Sequence, residues 1–172
     1  MEIPPQRAMS LVDFELTDSA GRLVTQSALT GKVVVANFVF TSCGATCLQV
    51  SRKVAAVQKR LAGKTDVRFV SITIDPKTDT PATLAGFARK LGVDDPAWLF
   101  LTGESNKVVR LLDSSFIAGF GKPDRDPFQS VLDTTRIGIM DKRGRMRGFF
   151  DGLKKDVEVS LEKAVDALLQ EE

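Results

Sequence analysis

A chain of 172 residues, 43% hydrophobic and 27% charged, is long enough to bury a sizeable core in one domain. Its 24 basic and 22 acidic side chains leave a net charge of +2, and no face interleaves basic with aromatic residues, so neither nucleic acid nor an anionic membrane has an electrostatic claim on it. The longest apolar run, Val33 to Phe40, is far below the ~20 residues that cross a bilayer.

Residues 1–10, with two prolines and no periodicity, read as a flexible lead-in to a single domain over 11–172. The start lacks the basic and apolar regions of a signal peptide, so the chain is read either as cytosolic or as the soluble part of a longer precursor. Short alternating runs on either side of Asp18-Ser19-Ala20-Gly21 predict a β-hairpin. Val33 to Phe40 reads as a strand buried on both faces. Cys47, Val50, Val54, Val57 and Leu61 then step by three and four, one face of a helix that Gly63 stops.

Val67 to Ile74 is a second buried strand, ended by Asp75-Pro76. Thr80-Pro81 opens a helix whose Leu84, Phe87, Ala88 and Leu91 face inward, with Asp79 or Thr80 as its cap. Trp98 to Leu101 gives a third central strand and Glu104 to Leu112 a short helix. Ser114 to Leu132 has no period and reads as a functional loop or as a stretch holding a small unrecognised element, with Phe116, Phe120 and Phe128 as satellite core or docking surface. Arg136–Met140 and Met146–Phe150 flank a second hairpin turn, whose basic cluster Lys142, Arg143, Arg145 and Arg147 reads as solvated. Val157, Leu161, Val165 and Leu168 mark a closing helix. This order predicts an α/β domain: a mixed central sheet, helices on both faces and an N-terminal hairpin.

Both cysteines of the chain, Cys43 and Cys47, fall at the junction of the first central strand and its helix, and the chain has no histidine. Chemistry in open α/β sheets gathers at the carboxyl ends of the strands. At this spacing the two Cα atoms should lie ~6 Å apart, within disulfide range, and the helix N-terminus favours thiolate. Two buried cysteines can also be plain core residues, or a structural staple worth roughly 2 kcal/mol. The chemical alternatives are thiol–disulfide exchange, Cu(I) binding and peroxide reduction. Zinc lacks the four ligands it needs.

The chain resembles the Sco (SenC) family, thioredoxin-like copper and thiol proteins of cytochrome c oxidase assembly. The resemblance rests on Phe14 to Gly21, Gly31 to Phe40, Phe40-Thr41 ahead of Cys43-x-x-x-Cys47, and Asp75-Pro76 with Asp79-Thr80-Pro81. It extends through Trp98 to Gly103, Ile139-Met140-Asp141 with Gly144, and Arg147-Gly148 with Asp151-Gly152. It implies a thioredoxin-like fold and a periplasmic home, usually with an N-terminal membrane tether, which would then have been removed or be absent here. It also implies copper held by the two cysteines and one later histidine. Asp133 falls where the family places that histidine, and Gly44 and Leu48 stand where it usually has proline.

A carboxylate is a hard ligand for Cu(I), which prefers thiolate, thioether or imidazole. Asp133 is therefore read as a doubtful metal ligand, a proton carrier for thiol exchange, or a loop residue; Met140, the candidate thioether, reads as core. Asp75 could face and tune the cysteines. The expected function is thiol–disulfide exchange by Cys43 and Cys47, Cys43 attacking, on protein thiols or disulfides such as a cytochrome oxidase copper-site subunit or a copper chaperone. The alternative is a Cu(I) metallochaperone using the same pair with an altered third ligand. A peroxidase lacks the expected proline and threonine spacing ahead of Cys43, and a docking factor would have no use for the thiols.

Overall fold

The computed structural model describes residues 10–117 and 134–171. Residues 1–9 of the lead-in, Phe120, Phe128 and Asp133 lie outside the described residues, while Ser10 pairs with Arg145 in an isolated bridge. Among the described residues seven strands form one sheet, in the order β2 (Leu23–Thr25), β1 (Glu15–Asp18), β5 (Trp98–Thr102), β4 (Val67–Thr73), β3 (Val33–Val39), β6 (Arg136–Met140) and β7 (Met146–Asp151). Among the described residues no helix is long and apolar enough to cross a membrane.

The centre of the sheet follows from side-chain alternation. Every residue of β3 (Val33–Val39) is buried, and it pairs parallel with β4 (Val67–Thr73) on one side and antiparallel with β6 (Arg136–Met140) on the other. Val33, Val35 and Val39 point to one face and Val34, Ala36 and Phe38 to the other. The first face is covered by α1 (Ala45–Arg60), α2 (Pro81–Leu91) and α4 (Val157–Gln170), through Val50, Val54, Val57, Leu84, Phe87, Leu161 and Val165. The second is covered by α3 (Ser105–Leu111) and a π-helical turn at Leu112–Ile117, through Val108, Leu111, Leu112 and Phe116. The expected helices on both faces are thus present, and the described start of the irregular stretch continues α3.

The N-terminal hairpin is part of the sheet rather than an appendage. β1 (Glu15–Asp18) pairs with β2 (Leu23–Thr25) and also antiparallel with β5 (Trp98–Thr102). It closes the edge that the parallel core would otherwise leave open.

The turns of the two hairpins, Asp18-Ser19-Ala20-Gly21-Arg22 and Asp141-Lys142-Arg143-Gly144-Arg145, are built alike. In each, the aspartate Oδ1 accepts the N–H groups two and four residues on, at 2.9–3.0 Å. In each, Oδ2 takes the arginine Nε–H, at 3.2 Å in the first and 2.8 Å in the second. Gly21 and Gly144, with φ of 79° and 72°, occupy the left-handed position that a side chain resists.

The basic cluster is anchored rather than simply solvated. Arg145 and Arg147 both pair with buried Asp141, Arg147 also reaches Glu171, and Lys142 Nζ donates to the carbonyls of Leu169 and Glu171 at the end of α4. The last carbonyls of α4, at the negative end of its dipole, meet that ammonium, which is why a lysine of the β6–β7 turn is held at a helix C-terminus.

Candidate functional site

β3 ends at Val39, and Phe40 to Gly44 turn the chain into α1. The turn closes with Cys43 N–H donating to the Phe40 carbonyl at 3.0 Å. Cys47 lies in the first turn of α1 on its buried face, in line with Val50, Val54 and Val57. Cys43 and Cys47 are joined as a disulfide, with Cα atoms 6.0 Å apart, as the spacing predicts. Their exposures differ: Cys47 is 1% exposed, whereas Cys43 is half-buried between exposed Ser42 and exposed Gly44. The helix start has no side-chain cap, so the first N–H groups of α1 meet the sulfurs' end of the turn without a competing anion from its own side chains.

A second arm of the chain reaches the pair from the β6 side. Gly152 donates its N–H to the Thr135 carbonyl at 2.6 Å, and a Cβ on Gly152 would stand 2.7 Å from Val50 Cγ1. Glycine here lets the chain around residue 135 press against α1, one turn beyond Cys47. Thr134, 3% exposed, thereby places Oγ1 3.9 Å from Cys43 Sγ. A disulfide sulfur carries no proton, so the hydroxyl is the donor. Nothing in the sequence marks Thr134, whose neighbour Asp133 is the residue at the family's histidine position.

The third support is Asp79. The sequence offers Asp79 or Thr80 as the cap of α2, and the structure separates their roles. Thr80 caps, its Oγ1 accepting Thr83 N–H at 3.2 Å. Asp79 is fully buried and its carboxylate takes the N–H of Thr41 at 3.1 Å, the Thr41 hydroxyl and the Thr73 hydroxyl at 2.7 Å. Its signal in the sequence was only the surplus: two cap-forming residues at a helix start that needs one.

Asp75 joins this set through its backbone alone, accepting Asp79 N–H at 2.9 Å and donating to Thr73 Oγ1 at 2.9 Å. It lines an open cleft of about 730 Å³ with Lys77, Asn106 and Arg110, and no described contact joins it to either cysteine. Met140, 0% exposed, packs with Met146 and Phe149 on the second face, as a core residue. Among the described residues no group of three or more His, Cys, Asp or Glu could hold a metal ion. The fit to copper therefore rests on two sulfurs, a soft donor set suited in number to Cu(I) and short of imidazole for Cu(II).

Below the site a buried polar chain crosses the first face. Trp98 Nε1 donates to Ser71 Oγ at 2.9 Å, Ser71 to Asn37 Oδ1 at 2.6 Å, and Asn37 Nδ2 to Ser51 Oγ at 3.0 Å. Ser51 lies one helical turn after Cys47, so these bonds tie α1 to β3, β4 and β5.

The sequence model of the SCO1/SenC family matches residues 4–169. The SCO1 protein homolog of Bacillus subtilis is 29% identical over 82% of this chain and 73% of its own length. A SCO1/SenC family lipoprotein of Bacillus anthracis superposes with a TM-score of 0.78 at 25% identity, covering 96% of this chain and 99% of its own. BsSco, described as having a disulfide switch and as a member of the Sco family of cytochrome c oxidase assembly proteins, gives 0.78 at 23% identity over 100% of both chains. Yeast Sco1 with copper bound gives 0.74 at 21% identity over 96% of both. The last two establish likeness of fold, which is thioredoxin-like as expected.

Proposed function

This chain belongs to the SCO1/SenC family, and on that premise we propose that it is a thiol–disulfide oxidoreductase serving the copper site of a cytochrome c oxidase. The observation that carries the proposal is the asymmetry of the pair: a half-exposed Cys43 bonded to a buried Cys47. In the reduced protein Cys43 thiolate attacks one sulfur of a target disulfide. A mixed disulfide forms and the other target sulfur leaves as thiolate. Cys47 thiolate then attacks Cys43 Sγ, closing the Cys43–Cys47 bond and releasing the second target thiolate. Two electrons pass to the target, whose thiolates take their protons from solvent, and a dithiol donor re-reduces the pair. Thr134 O–H, already aimed at Cys43, is placed to stabilise sulfur's negative charge between these steps.

The fitting targets are the cysteines of a cytochrome oxidase copper-site subunit or of a copper chaperone. An oxidising compartment, the periplasm, suits a protein whose working form alternates with a disulfide, and a relative is a lipoprotein. A second reading has one favouring observation, the copper-bound state of a protein of the same fold. Here copper is cargo, carried as Cu(I) by the two thiolates, with Asp133 or a partner's group completing the site.

Reduced protein mixed with an oxidised copper-site domain separates the two. For the oxidoreductase, target thiols appear by alkylation, Cys43→Ser abolishes them, and Cys47→Ser traps a covalent complex through Cys43. Anaerobic Cu(I) titration against a competing chelator completes the test. Tight one-to-one binding lost in both serine variants, with no trapped complex, would replace the first reading by the second.

A further inference from the structure

We propose that Asp79 is a positioning residue for the dithiol, acting through Thr41 to set how readily Cys43 and Cys47 close; the inference rests on the exchange chemistry above. Cys47 is fixed by the packing of α1, whereas Cys43 sits on a turn between β3 and that helix, so the distance between the sulfurs depends on the turn. Thr41 is the second residue of this turn, and both its N–H and its hydroxyl go to the Asp79 carboxylate.

Asp79 is in turn held from the other directions. Its N–H donates to the Asp75 carbonyl at 2.9 Å, its carbonyl accepts the Thr102 hydroxyl at 2.7 Å, and Oδ2 accepts the Thr73 hydroxyl. The Thr73 oxygen also accepts Asp75 N–H at 2.9 Å, which commits its proton to Asp79. The ends of β4 and β5 therefore clamp Asp79, and Asp79 clamps the arm that carries Cys43. Its described partners are all neutral donors, and a carboxylate with no exposure needs each of them. An asparagine would offer one acceptor oxygen in place of two and leave a hydroxyl facing an N–H₂ group.

Holding two reacting groups at bonding distance raises their effective concentration, and loosening one of them lowers it. The disulfide should then be easier to reduce. In the equilibrium with dithiothreitol, the reagent's dithiol becomes its cyclic disulfide while Cys43–Cys47 takes two electrons and two protons. The reduction constant should rise about tenfold in Thr41→Val and in Asp79→Asn, with the double variant no further shifted than either single one. Thr41→Ser, which keeps both donors, should restore the native constant. Thr73→Val, which removes a bond to the same carboxylate away from the cysteines, should lower Tm and leave the constant within about twofold.

Unchanged constants in Thr41→Val and Asp79→Asn would overturn the proposal, as would an equal shift in Thr73→Val. If Asp79→Asn does not fold, Thr41→Val decides alone. Any protein disulfide has such a constant, so its insensitivity counts against Asp79, whereas failure of Cys47→Ser to trap a target counts against the oxidoreductase.

Discussion

Asp141 and Asp79 are both buried, at 3% and 0% exposure, yet they are satisfied in opposite ways. Asp141 bonds within its own turn and faces two arginines, Arg145 and Arg147. Asp79 reaches across 38 residues of chain to Thr41 and, among the described residues, meets only neutral donors. The first arrangement ends a hairpin and can be made by any chain that places Asp, Gly and Arg at those offsets. The second exists only once β3, β4 and β5 stand side by side, and it lies at the edge where the cysteines are.

The comparison is broken hardest by truncating each acid. Asp79→Ala should cost about 3 kcal/mol in urea unfolding, since three donors, the Thr73 hydroxyl among them buried, lose their acceptor. Asp141→Asn should cost about 2 kcal/mol, since water can replace part of what the half-exposed arginines lose. Asp18→Asn should cost about 1 kcal/mol, because its arginine, Arg22, is 77% exposed. An Asp79→Ala loss no larger than that of Asp18→Asn would mean that burial without a cation makes no difference here.

The smallest effect is one of pH. Burial pushes the Asp141 pKa up, but hydrogen bonds from Arg145 and Arg143 N–H groups, the Arg145 side chain and its charge hold it below the ordinary 3.8. A depressed folded pKa stabilises fully above the unfolded value and loses that contribution as pH falls through it. Urea midpoints between pH 6 and pH 3 should therefore fall more steeply in the native protein than in Asp141→Asn. Parallel curves would remove Asp141 from the acid response.

The contrast also explains what could be read from sequence. β3, α1 and α4 were legible because burial repeats at intervals of one, two or three to four residues, and the Cys43–Cys47 spacing was legible because it spans one turn. The hairpin turns announced themselves through Asp and Gly. Thr134 and the role of Asp79 were not legible, because each depends on a contact between distant segments: Thr134 lies 91 residues from Cys43. Asp79 was further disguised by Thr80, which supplies the local explanation for a polar residue at that place. The incorporation of β1 into the sheet was hidden for the same reason, since its partner β5 lies far along the chain.

The twin turns also bear on the order in which the chain assembles. Each closes within five residues, so neither waits for a long loop, and both can form while the rest of the chain is still searching. The clamp of Asp79 on Thr41 has no such head start; it must wait until two crossovers have brought three strand ends together. In refolding experiments, substitutions in the turns should slow folding, whereas those at Asp79 should mainly speed unfolding. The thiol site is then the last corner to be set, and the first to loosen when the molecule begins to open.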